Sequence, residues 1–101
     1  MKRRTISELK SQRLAALSDH ERSEFDITYL AAQLAIQVGE KIRDVRESHG
    51  VSQRELATRM GTSQAAVARL EAGGVGSTLT TLQKVAIALN VRLAVDLVPA
   101  N

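Results

Sequence analysis

The chain has no cysteine and no tryptophan, a single proline, and only two aromatic residues, Phe25 and Tyr29. Without cysteine there is no disulfide framework and no thiolate metal site. With two aromatic rings, stacking of single-stranded bases on side-chain platforms is not a usable binding mode, and the core has to be aliphatic. His20 and His49 stand apart with no ligand spacing. No carboxylates pair as an acid and a base would. No metal, cofactor or enzymatic activity is therefore expected. No apolar run is long enough for a membrane span or a signal peptide, so the expected location is the cytoplasm.

What is present is a 101-residue chain, 44 % hydrophobic, with a formal net charge of +3. That suits one small domain with a tail. The charge is uneven. Met1–Arg13 carries five basic residues and one acidic, whereas the rest of the chain carries nine basic and ten acidic. The body of the protein is not strongly basic, so its electrostatic pull on phosphates is expected to be moderate.

The most informative stretch is Ser52–Gly73, SQRELATRMGTSQAAVARLEAG. Ser52 with Glu55 forms a capping box that starts a helix. Gly61 suits the left-handed residue that ends it. Thr62 or Ser63 can cap a second helix, which Gly73 can end. Leu56, Ala57, Met60, Val67 and Leu70 fall on the faces that meet, and Ala57 is small where the helices cross. Ser63, Gln64, Ala65, Ala68 and Arg69 are left outward, with no acid among them. This is the pattern of a helix-turn-helix, whose second helix enters the DNA major groove. Gln64 can donate to and accept from adenine, Ala65 can meet a thymine methyl, and Arg69 can reach guanine or a phosphate. Arg43, Ser63 and Arg54 are candidate phosphate contacts.

Around this stretch the chain reads as further helices. Thr5 with Glu8 is a capping box before Ile6, Leu9, Leu14 and Leu17, a short amphipathic helix that needs something to pack on. Ser18 with Glu21 opens another helix carrying Phe25 and Tyr29. It continues to His49–Gly50 as one long helix or breaks between Ala35 and Gly39. Two segments are favoured, because Gly39 costs about 1 kcal/mol in a helix interior. Gly73–Thr78 is a glycine-rich loop without the lysine of a phosphate-binding loop. Thr78 caps a helix whose face is Leu82, Val85, Ala86 and Leu89, and Asn90 can end it. From Val91 to Val98 the period becomes two. Leu93, Val95 and Leu97 alternate with Arg92, Ala94 and Asp96, as in a strand, and Pro99 stops it. The chain holds no second strand, so pairing with the same strand of a second subunit is expected.

Residues Val38–Val91 resemble the Xre family of helix-turn-helix domains, which includes phage repressors and Cro. The resemblance implies a mainly α, lambda-repressor-like bundle, with an N-terminal helical extension (1–35), a DNA-binding domain (36–90) and one C-terminal dimerising β-strand (91–101). It implies that Arg46 pairs with Glu71, that Gln53 touches phosphate and steadies Gln64, and that Ser77 and Thr78 lie on the DNA backbone. The whole-chain layout resembles HigA-type antitoxins, which neutralise a RelE- or HigB-like toxin and repress their own operon. On that likeness Ile6, Leu9, Leu14, Leu17, Phe25 and Tyr29 contact the toxin. The closing strand is similar to the dimerising strand of HipB-type antitoxins. The expected partners are therefore a palindromic double-stranded operator, a second copy of the chain and a toxin, with no membrane. The alternative is a stand-alone repressor without a toxin.

Overall fold

The structure, a computed structural model, describes residues 18–74 and 77–100. It contains four helices among these residues: α1 Asp19–Ser48, α2 Gln53–Met60, α3 Gln64–Glu71 and α4 Leu79–Ala88. The first amphipathic stretch, with Ile6, Leu9, Leu14 and Leu17, lies outside the described residues. The chain divides into two compact units at Ala31/Ala32.

The helix starts follow from short polar side chains. The Ser18 hydroxyl accepts from the Glu21 N–H at 3.2 Å, Ser52 from Glu55 at 3.0 Å, Ser63 from Ala66 at 3.1 Å and Thr78 from Thr81 at 3.2 Å. Each bond satisfies one of the N–H groups that a helix leaves without an internal partner. The turn between α2 and α3 is closed by Gly61 at φ 69°. The Thr62 N–H then reaches back to the Ala57 carbonyl at 2.9 Å. Asn90 takes the same left-handed role after α4, at φ 56°.

In the unit that begins at Ala32, Ile42, Val51, Leu56, Val67, Leu70, Val85 and Leu89 form an aliphatic core, with Ala57 buried at the α2–α3 crossing. Val38, Val45, Met60, Leu82 and Ala88 pack against it. Arg59 adds a polar tie, donating to the Ala88 carbonyl at 2.9 Å and to Glu55 at 2.8 Å. In the other unit, the first half of α1 carries Phe25 half-buried, with Ile27, Tyr29 and Leu30 exposed.

Two expectations are corrected. First, α1 does not break between Ala35 and Gly39 but runs through as one 30-residue helix. Gly39 is buried, and a Cβ there would stand 2.6 Å from the Glu71 carbonyl oxygen and 2.7 Å from that of Leu70. Its missing side chain lets α1 rest directly on the end of α3, and this close approach offsets the helical cost of glycine. Second, residues 91–100 form no strand within this chain. Leu93 is half-buried, but Val95 and Leu97 are 72 % and 95 % exposed. A strand is defined by ladder hydrogen bonds. The alternating side chains are present, but no neighbouring strand exists among the described residues.

Candidate nucleic-acid interface

α3 is only eight residues long and could not persist alone. Its position is set at both ends. At the start, the Ser63 cap fixes the entry of the chain, and the Ser63 hydroxyl keeps its own proton free to donate to a phosphate oxygen. At the end, Glu71 is buried and bound by a fork from α1. Arg46 Nε donates to Glu71 Oε2 at 2.6 Å, and Arg46 Nη2 donates to Oε1 at 3.0 Å. Arg46 Nη1 also donates to the Val51 carbonyl at 2.8 Å, in the link between α1 and α2. Gln53 Nε2, on the first turn of α2, adds a bond to Glu71 Oε1 at 3.1 Å. One carboxylate thus ties together three helices and a loop. Among the described residues, no buried side-chain nitrogen or oxygen lacks a partner.

The electrostatics follow from this geometry. Burial works to raise the Glu71 pKa, but the hydrogen bonds from Arg46 and Gln53 and the charges of Arg46 and Arg43 outweigh it. The carboxyl is held below its ordinary value. Arg46 is shifted upward, chiefly by its hydrogen bonds to Glu71 and against the cost of burial. Both groups stay charged across the physiological range.

With its far end clamped, α3 presents Gln64 and Ala65 exposed in its first turn, where no acid stands. Ala68 is half-buried and Arg69 exposed. The stem of Arg69 is held beside Gly74, whose added Cβ would meet Arg69 Cγ at 3.1 Å. Arg54 is exposed on α2. Arg43 is exposed too, but its Nε pairs with Glu47 at 3.0 Å. Surface pairs of this kind are worth only about 0–1 kcal/mol, so a phosphate can displace Glu47. Ser77 and Thr78 are exposed before α4, and Thr78 is already shared between the Thr81 N–H and the Thr81 hydroxyl.

The Gln53 amide nitrogen is bound to Glu71, so Gln53 helps to complete the buried cluster. Gly39 was read from the sequence only as a helix breaker. The signal that it seats α1 on α3 was the presence of glycine inside an otherwise continuous helical pattern. Among the described residues, no cluster of His, Cys, Asp or Glu is arranged to hold a metal ion, and no helix is long and apolar enough to cross a membrane.

A helix-turn-helix family model (HTH_3) matches residues 42–95, which takes in the last seven residues of α1, all of α2 to α4 and the start of the final segment. Among solved structures, the chain is similar to the restriction-modification controller protein C.AhdI from Aeromonas hydrophila. The two share 29 % identity with a TM-score of 0.55, over 57 % of this chain and 84 % of that one. No curated protein matches the chain.

Proposed function

Because the chain belongs to the helix-turn-helix family, we propose that it is a sequence-specific regulator of transcription that lays α3 in the major groove of double-stranded DNA. The observation that carries this reading is the acid-free first turn of α3, with Gln64 and Ala65 exposed, on a helix whose other end is clamped by Arg46 and Glu71. A base-reading glutamine is useful only on a support that does not move. Gln64 reads adenine, Ala65 packs on a thymine methyl, and Arg69 reaches guanine or a phosphate. Ser63, Arg43, Arg54, Ser77 and Thr78 set the register on the backbone. Ala65 and Ala68 leave few polar groups for readout, so specificity per half-site is modest.

Modest readout and a nearly neutral body call for two copies, so the protein acts as a homodimer on a palindromic operator. The similarity to a controller protein favours a regulator that stands by itself. The antitoxin reading rests only on the layout of the chain. Its interface would use Phe25 and Tyr29 beside the exposed Ile27 and Leu30.

Selection of bound duplexes from random DNA tests the main reading. Enrichment of an inverted repeat with half-sites about one helical turn apart is the supporting result. Failure to enrich any sequence would remove the regulator reading. On the selected duplex, Arg43→Ala should weaken binding to all sequences alike and reduce the salt slope by about one. Co-purification of a small basic protein with the full chain would restore the toxin partner.

A further inference from the structure

The first half of α1 carries an acidic, partly covered face. Asp19, Glu21, Glu24 and Asp26 are all exposed, with Arg22 as the cation among them. Glu24 is taken by His20 at 3.1 Å. Glu21 and Asp26 have no ion-pair partner among the described residues. They flank Phe25 and Tyr29, which stand one turn apart on one side of the helix. Among the described residues this unit holds only the first half of α1, yet Phe25 is half-buried. Arg22 and Tyr29, on the same side, both have interaction partners.

We propose that residues 5–17 fold back on this face as a short antiparallel helix, a latch that holds the basic arm of the chain against its own acids and away from DNA. The occupant is argued from charge and from length. Ile6, Lys10, Arg13, Leu14 and Leu17 recur at helical spacing, so two cations lie among the apolar side chains of one face. Ser18 caps α1 by accepting from the Glu21 N–H at 3.2 Å. A capping residue is not helical, so a helix arriving from residue 6 turns there instead of running on into α1. With Leu17 and Ser18 as the link, the turn has the length of a tight helical hairpin. Ile6–Ala16 and Asp19–Tyr29 then lie side by side, each about 16 Å long. Counting outward from the turn sets Arg13 beside Glu21, Leu9 over Phe25, Lys10 beside Asp26 and Ile6 beside Tyr29.

The latch has a consequence for DNA binding, which rests on the regulator reading above. Met1–Arg13 carries five basic residues and one acidic. Docked, those charges are neutralised within the chain and add little to phosphate attraction. Released, they add to it.

Distance measurement between two spin labels tests the hairpin. The chain has no cysteine of its own, so Ser7→Cys and Thr28→Cys carry the labels alone, in full-length chain diluted with unlabelled chain. The expected result is a narrow distance under about 20 Å, as for packed antiparallel helices. Lys10→Glu with Arg13→Glu should abolish it, and adding Glu21→Lys with Asp26→Lys should restore it. A distance near 32 Å would mean one continuous helix and overturn the proposal. A broad distribution would mean a free arm, open to another protein, and would overturn it too. A short distance that disappears on dilution would assign the face to the arm of a second copy. A short distance indifferent to both reversals would overturn the electrostatic latch.

The salt dependence of binding to a scrambled duplex tests the consequence. Glu21→Gln with Asp26→Asn should release the arm and steepen the slope by about 2–4. The same pair should steepen it far less in a full-length chain with Gln at Lys2, Arg3, Arg4, Lys10 and Arg13. Equal steepening in both backgrounds would overturn storage of the arm, because the acids would then act on DNA directly. No affinity for DNA in any form would overturn the regulator reading, and the label distances would decide the hairpin by themselves.

Discussion

The two ends of the DNA-binding unit handle their polar groups in opposite ways. At the end of α3 every demanding group is satisfied inside the chain. Glu71 accepts from Arg46 and Gln53, and Arg46 spends its remaining donor on the Val51 carbonyl. At the C-terminal segment the backbone of 92–100 has no hydrogen-bond partner among the described residues, and the apolar side chains beside it are exposed. The first region fixes α3 within one chain. The second leaves apolar side chains open to solvent. A small domain can thus be settled around one helix and still carry an open apolar edge.

The comparison breaks first at the ion pair. Arg46→Ala leaves Glu71 charged and buried, and should cost about 3–5 kcal/mol in chemical denaturation. Replacing both residues, with Arg46→Met and Glu71→Leu, should cost far less, because no charge is left unpartnered. A loss as large in the double variant as in the single one would mean that the pair itself supplies the stability.

Gly39→Ala tests the seat of α1 on α3. A Cβ would stand 2.6 Å from a backbone oxygen that has no rotamer to change. The expected loss is about 1–3 kcal/mol, although alanine favours helix more than glycine does. A gain in stability would show that the two helices do not touch there.

Acid sharpens the contrast. Glu71 has a lower pKa folded than unfolded, so the unfolded chain binds the extra proton. The contribution of Glu71 is therefore present above its ordinary value of 4.5 and is lost as pH falls from there through the lower, folded value. Stability measured from pH 6 downward should decline across that window, and the Glu71→Gln variant should decline less steeply. The smallest effect belongs to the open edge. Leu97→Ser, at a residue 95 % exposed, should change the stability of an isolated chain by less than about 0.5 kcal/mol while weakening the dimer.

Much of this was legible in the sequence because it is local. Ser18, Ser52, Ser63 and Thr78 cap helices through bonds three residues long, and Gly61 and Asn90 end them through their own backbone freedom. Polar groups meeting from distant parts of the chain were not legible from spacing. Gln53 reaches Glu71 across 18 residues, and nothing near Gln53 says so. Gly39 was misread because its local cost is visible and its distant benefit, the carbonyls of Leu70 and Glu71, is not. The reading of 91–98 as a strand paired with a second subunit is not supported, for the segment forms no strand, and side-chain period does not supply hydrogen-bond partners. The face proposed for recognition was visible as a pattern, whereas the clamp behind it was read only through resemblance to a family.

The most direct test of α3 as a reader of bases is a fluorescence anisotropy titration. The intact chain and Gln64→Ala are compared on the selected operator and on a scrambled duplex at one salt concentration. The account predicts that Gln64→Ala loses about 1–3 kcal/mol on the operator and nothing measurable on the scrambled duplex. An equal loss on both duplexes would contradict it, placing Gln64 on the DNA backbone instead of a base edge.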